Sequence, residues 1–154
     1  MTDATYLIRA TETLNEALLT NGALLITVDP DGRPNPMTIG WGLVGVGVRK
    51  PILSIYLSQG GYTHEFIRQA ESFTVNIPVQ GSMIEVLEIC GTCSGREVDK
   101  VAEAHLSLTD AQTVSTPVAR DCAVAFECTR LRFAERENGD LVVFGQISAA
   151  YART

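Results

Sequence analysis

Residues 122–133 read as one long strand and residues 141–149 as another, with Glu137-Asn138-Gly139-Asp140 between them. An Asn-Gly pair in that place marks a hairpin turn, because both residues accept the positive φ that a tight turn requires. Two long strands joined this way lie side by side and antiparallel. Whatever this chain folds into must therefore be built on a sheet containing that hairpin.

The rest of the sequence adds strands faster than helices. Residues 23–28 are an unbroken apolar run rich in β-formers, which reads as a buried strand. Asp29-Pro30-Asp31-Gly32 is a turn by composition. Strand patterns follow at residues 35–41, 43–48, 52–57 and 73–77, the last closed by Pro78. Helices are announced by Ser/Thr-x-x-Glu signatures, in which a hydroxyl and a carboxylate satisfy free backbone N–H groups reciprocally. Thr13 to Glu16 opens one that ends near Asn21-Gly22, and Ser82 to Glu85 opens another with Met83, Ile84 and Leu87 as its apolar stripe. Tyr62-Thr63-His64-Glu65 begins a third, with Thr63 as its expected N-cap and Phe66, Ile67 and Ala70 inward. A Ser/Thr-rich connection runs to Pro117. No internal repeat or linker divides the chain, so residues 1–154 are expected to form a single domain, mainly β with short helices (α+β). That pattern suits a β-barrel or sandwich with helices outside, not a doubly wound sheet.

Charge narrows the partners. The net charge is −6 with no basic block, which argues against nucleic acid and anionic membrane as main partners. No apolar run reaches the length of a membrane span. The opening Met1-Thr2-Asp3-Ala4-Thr5 lacks the features of a signal peptide, so a cytoplasmic location is expected. Gly40-Trp41-Gly42-Leu43-Val44-Gly45 satisfies the dinucleotide fingerprint in letters only, since Val46 to Pro51 cannot open the helix that fingerprint needs. Neither His64 nor His105 sits in an acid–base constellation, and no Ser/His/Asp set is apparent, so no catalytic side chain is named.

The densest chemistry lies in Cys90-Gly91-Thr92-Cys93-Ser94-Gly95-Arg96-Glu97-Val98-Asp99-Lys100. Gly91 and Gly95 allow close backbone approach, and Thr92 and Ser94 add hydroxyls. Ser94 and Glu97 read as a capping box opening a helix through about Ala104, with Arg96 and Lys100 four apart on it and able to lean toward one anion. Either this is an anion site at a helix N-terminus, or it is a solvated capped helix with ordinary surface cations. Cys90 and Cys93 have the spacing of a redox dithiol or half a zinc site, but no second close pair of ligands completes a zinc site. Cys122 and Cys128, at even spacing in a strand pattern, are expected to share one face. Reduced structural thiols come first in this order, a dithiol second and zinc third, and no metal site is expected.

Taken in order, Asn35-Pro36-Met37-Thr38-Ile39-Gly40-Trp41, Tyr62-Thr63, Phe73-Thr74-Val75-Asn76-Ile77-Pro78 and the 90–100 stretch resemble the flavin reductase-like family that includes flavoredoxin. The resemblance covers nearly the whole chain. It implies a split β-barrel that binds FMN non-covalently, usually as a homodimer. Such proteins pass electrons from NAD(P)H through flavin, or serve as electron carriers without nicotinamide activity; a non-redox ligand-binding protein is the third possibility. It also implies cofactor-binding roles for Asn35, Thr38 and Trp41 on a flavin-lining strand, for Tyr62 and Thr63 at a helix start near the phosphate, and for Thr92, Ser94, Gly95, Arg96 and Lys100 in a loop facing FMN. Trp41, with a broad apolar face and one N–H, suits either flavin contact or a core position. Where the family often carries Arg-Pro-Ser-Arg, this sequence has Ser58-Gln59-Gly60-Gly61, so charge-assisted bonds to a phosphate are lost there. Many members also run on past the last strand, whereas this sequence stops at Thr154, which implies a more open pocket.

Overall fold

The computed structural model describes residues 3–152; Met1 and Thr2 of the opening stretch lie outside them, as do Arg153 and Thr154. Helix α1 covers Ala4–Leu19, followed by β1 (Ala23–Val28), β2 (Pro34–Ile39), β3 (Gly42–Gly47) and β4 (Lys50–Leu57). A short helix α2 (Tyr62–Phe66) runs into a 3₁₀ turn, and β5 (Ser72–Ile77), α3 (Ile84–Thr92) and α4 (Lys100–Glu103) follow. The chain ends in β6 (Leu108–Thr109), β7 (Val118–Ala119), β8 (Val124–Glu135) and β9 (Leu141–Ala152). Seven strands form one antiparallel sheet in the order β2-β1-β5-β8-β9-β4-β3.

The β8–β9 hairpin is the spine of that sheet, as its length requires. β5 pairs with the first half of β8, from Val124 to Thr129, and β4 pairs with the first half of β9, from Leu141 to Gln146. The sheet is therefore two lobes that share only this hairpin. Register shifts interrupt the hairpin after Glu127 and after Thr129, with Arg130 at φ +55. An extra residue on one strand bends it and increases its local twist.

β1 is buried on both faces, as an unbroken apolar run requires. Ala23 and Leu25 join the main core with Phe73, Val75, Phe126, Ile55, Val143 and, from α1, Ala10 and Leu14. Leu24 and Ile26 face a second core with Leu87, Cys90, Leu106, Ala119 and Cys122. Across that second face, Asn76 accepts from Ala119 N at 2.9 Å and Thr74 donates to the Pro117 carbonyl at 2.8 Å, which seats the 107–123 connection.

Helix starts depart from expectation. Thr13 lies inside α1, which begins earlier, where Asp3 accepts from Tyr6 N. The Thr13 hydroxyl donates to the Arg9 carbonyl instead. Gly61, not Thr63, occupies the N-cap of α2. α3 is entered through Met83 in a left-handed conformation (φ +57), while the Ser82 hydroxyl donates to the Val79 carbonyl. Ser94 opens no helix: residues 93–98 form turns, and α4 is capped by Asp99, which accepts from Ala102 N. Cys122 precedes β8 and sits in the second core, whereas Cys128 sits in the main one, so the two do not share a face. Among the described residues, no helix is long and apolar enough to cross a membrane.

Candidate functional site

β2 is an edge strand of the sheet, and α3 and the 93–100 segment stand against it. The Thr38 hydroxyl donates to the Leu87 carbonyl of α3 at 2.6 Å. A Cβ on Gly91 would come within 3.2 Å of Thr38, so the glycine sets how closely the helix end approaches the strand. Between these elements and the 60–63 segment lies a cleft of about 240 Å³. Met37 and Thr38 form one side, Gly60 to Thr63 another, and the end of α3 with residues 93–96 and Lys100 the third. A wider depression of about 490 Å³ lies at the hairpin tip, but Glu135, Arg136, Glu137 and Asn138 line it and give no apolar wall.

Eight of the ten residues singled out in the sequence meet in this one cleft: Thr38, Tyr62, Thr63, Thr92, Ser94, Gly95, Arg96 and Lys100. Asn35, earlier on β2, does not line the cleft but is buried against two residues that do, Thr63 and Gly95. Its Nδ2 donates to the Thr63 hydroxyl at 2.9 Å. A Cβ on Gly95 would lie 2.1 Å from Asn35 Oδ1 and 2.9 Å from the Tyr62 ring, so only glycine fits there. Asn35 thus fixes two walls at once. Trp41 lies beyond the end of β2 and outside the cleft, 40% exposed, with its ring centroid 5.6 Å from that of Tyr56.

The cations behave differently from one another. Arg96 is not on a helix with Lys100; it is half exposed, ion-paired with Glu65, and its guanidinium stands 5.6 Å from the Tyr62 ring centroid. Tyr62 donates its hydroxyl to Asp29 at 3.0 Å. Lys100 is buried, and among the described residues the one hydrogen bond of its side chain is from Nζ to the Cys90 carbonyl at 3.2 Å. Burial pulls its pKa below the ordinary lysine value, with only the Cys90 and Cys93 thiols opposing. An ammonium has three N–H donors, so two are left for whatever occupies the cleft.

The segment at residues 58–64 is held from a distance. Gln59 N donates to Asp140 Oδ1 at 2.8 Å, Tyr56 donates its hydroxyl to Asp140 Oδ2, and His64 Nε2 meets the Gly139 carbonyl at 2.8 Å. The Tyr56 bond above all, then the Gln59 N–H, holds the Asp140 carboxyl below its usual range. This clasp and the Glu65 partner were not foreseen from sequence. Both join residues far apart in the chain, and no local spacing signals such a contact.

All four cysteines are free, and burial pushes the Cys90 thiol up to about 11 despite the nearby ammonium. Among the described residues no group of three or more His, Cys, Asp or Glu side chains could hold a metal ion.

A cleft with a buried, undersupplied cation and glycine-thinned walls invites comparison with known proteins. Residues 17–154 match the family described as flavin reductase like domain. The structure resembles flavoredoxin of Desulfovibrio vulgaris (Miyazaki F), with TM-score 0.73 and 25% identity, over 85% of this chain and 68% of that one. It resembles flavoredoxin from Methanosarcina acetivorans equally, with TM-score 0.73 and 28% identity, over 86% and 68%. An FMN-binding protein from Thermus thermophilus, 21% identical, shares the fold over 84% of this chain and 69% of its own, with TM-score 0.70. An uncharacterized protein of Archaeoglobus fulgidus is 29% identical over 112 residues, or 73% of this chain, which spans only 61% of that relative's length. The two-lobed antiparallel sheet is the split barrel of such flavoproteins. With the match running through nearly all of its sheet and every wall of the cleft, this chain belongs to the flavin reductase like domain family.

Proposed function

We propose that the cleft holds FMN and that the protein is a flavin oxidoreductase, passing electrons from NAD(P)H through FMN to an acceptor. The observation that carries the reading is Lys100, a buried ammonium with one hydrogen bond, lining a cleft walled by glycines and hydroxyls. A buried cation is stable only with partners, and an anionic or carbonyl-rich ligand supplies them. The residues present fit such a group. Gly91 and Gly95 let the backbone approach, Thr38, Thr63, Thr92 and Ser94 offer hydroxyls, and Met37 and Tyr62 offer surface for a ring system. Arg96 and Lys100 would draw the phosphate, and Asn35 would keep Thr63 and Gly95 in place. Trp41 would reach the flavin only from outside the cleft. FMN, when bound, supplies the redox chemistry; the chain supplies position, charge and exclusion of water.

Purified protein should be yellow or take up added FMN with quenching of flavin fluorescence, and should oxidise NADH or NADPH in an FMN-dependent way. FMN uptake without nicotinamide oxidation would favour the second reading, an electron carrier reduced by a protein donor, which the likeness to flavoredoxins supports. Failure to bind flavin at all would leave only a non-redox ligand-binding protein. The working form is a homodimer in the cytoplasm, where free cysteines stay reduced. Its motive is the edge strand β3, where Leu43, Val46 and the adjoining Val48 are exposed beside Trp41. An apolar free edge is a pairing hazard unless another surface covers it. Light scattering at micromolar concentration should give twice the chain mass; a monomer would overturn the dimer.

A further inference from the structure

Glu65 stands beside the cleft without lining it and holds one of its two cations. Arg96 lines the cleft but does not face it alone, because its Nη2 meets the Glu65 carboxylate and approaches the Gly60 carbonyl at 3.5 Å. Glu65 sits on α2 one turn from the 58–61 segment, where no cation is present. The cleft thus has two cations, Lys100 and Arg96, and one of them already has a carboxylate. We propose that Glu65 is a selectivity residue. By sharing Arg96, it lowers the advantage of a phosphorylated flavin, so the cleft takes riboflavin nearly as well as FMN and exchanges its flavin instead of retaining it. This rests on the flavin reading of the cleft.

The physics sets the scale. Glu65 and Arg96 are 53% and 42% exposed, so their attraction is screened and the pair is weak in itself. The same screening limits how much of the Arg96 charge Glu65 withholds from a phosphate, giving an effect of several-fold, not of orders of magnitude. Glu65 does not line the cleft, so it has no means of acting on the ring system that both flavins share. Its influence falls on the phosphate alone and passes through Arg96.

Flavin-fluorescence titrations with FMN and with riboflavin test this on wild type, Glu65→Gln, Arg96→Ala and the double variant. Wild type is expected to bind the two flavins within about tenfold of each other. Glu65→Gln should tighten FMN about five- to tenfold, leave riboflavin unchanged, and show less gain in high salt. In the Arg96→Ala background the gain should vanish. A wild-type preference for FMN above about a hundredfold, an unchanged FMN-to-riboflavin ratio in Glu65→Gln, or a gain that survives the loss of Arg96 would each overturn the proposal. Riboflavin binding by each variant shows that it is folded. If wild type binds neither flavin, the cleft reading falls and takes this one with it.

Discussion

Two buried charges in this protein have opposite fortunes. Glu127, near the start of β8, accepts from Gln112 N at 2.7 Å, from Thr113 N and Oγ1 at 2.6 Å each, and from the Tyr151 hydroxyl. Lys100 has the Cys90 carbonyl alone. Burial by itself would raise the Glu127 pKa, yet the donors from Thr113, Tyr151 and Gln112 outweigh it and hold the carboxyl below its usual value. Burial lowers the Lys100 pKa with little to oppose it. A charge whose partners the chain supplies in full serves the fold: Glu127 pins the 112–113 segment to the sheet. A charge that the chain undersupplies, and places on a cleft, is on the proposed reading the one that would meet a ligand.

The comparison breaks first at Glu127. Glu127→Ala should cost about 4 kcal/mol in urea unfolding, because it orphans several buried donors at once. The FMN-to-riboflavin ratio should not move. Lys100→Met should do the reverse. Stability should change by no more than about 1 kcal/mol, since removing an undersupplied buried charge costs little, while FMN binding weakens about tenfold or more. Glu127→Ala that folds normally, or Lys100→Met that unfolds, would erase the distinction between the two sites.

pH sharpens the same contrast. The folded pKa of Glu127 is depressed, so its stabilisation is complete above the unfolded value and is lost as pH falls through the folded one. Acid unfolding should therefore set in below about pH 4, and Glu127→Gln should flatten that limb. The folded pKa of Lys100 is also depressed, and here the unfolded chain binds the proton more readily. Its contribution to stability rises with pH between the folded value and about 10.5, while FMN affinity falls across the same interval as the cation is lost. Arg96→Ala, at an exposed position, should weaken FMN only a few-fold, riboflavin less, and both differences should shrink with salt. The smallest effect belongs to Cys93→Ser, which should keep FMN binding and turnover. The Cys90 thiol, pushed up to about 11, should resist thiol reagents at neutral pH.

What could be read in the sequence was what short-range physics controls. The apolar run at residues 23–28 announced a buried strand, and the Asn138-Gly139 turn announced the hairpin on which both lobes hang. The ordered motifs gathered eight of ten chosen residues in one cleft. The three Ser/Thr-x-x-Glu signatures did not start helices where expected, because a capping box works only where the backbone at its first residue is extended and the next turn is free to begin. Asp3 and Asp99 meet that condition and cap α1 and α4. Trp41 was assigned to the strand before it, but β2 ends at Ile39 and the ring turns to Tyr56. The role of Glu127 was illegible for a different reason: its donors lie 14, 15 and 24 residues away, and nothing near it in sequence reveals them.

The clasp between the hairpin tip and the 58–64 segment has a consequence in time as well as in space. Its hydrogen bonds span 75 to 84 residues of chain. Contacts of that separation carry a large closure entropy and form late, after local helices and hairpins have supplied a scaffold. β4 must pair with β9 before Gln59, His64 and Tyr56 can find Gly139 and Asp140. The cleft wall at Gly60 and Gly61 should therefore be among the last surfaces to mature, and a nascent chain cannot complete it until β9 has been made.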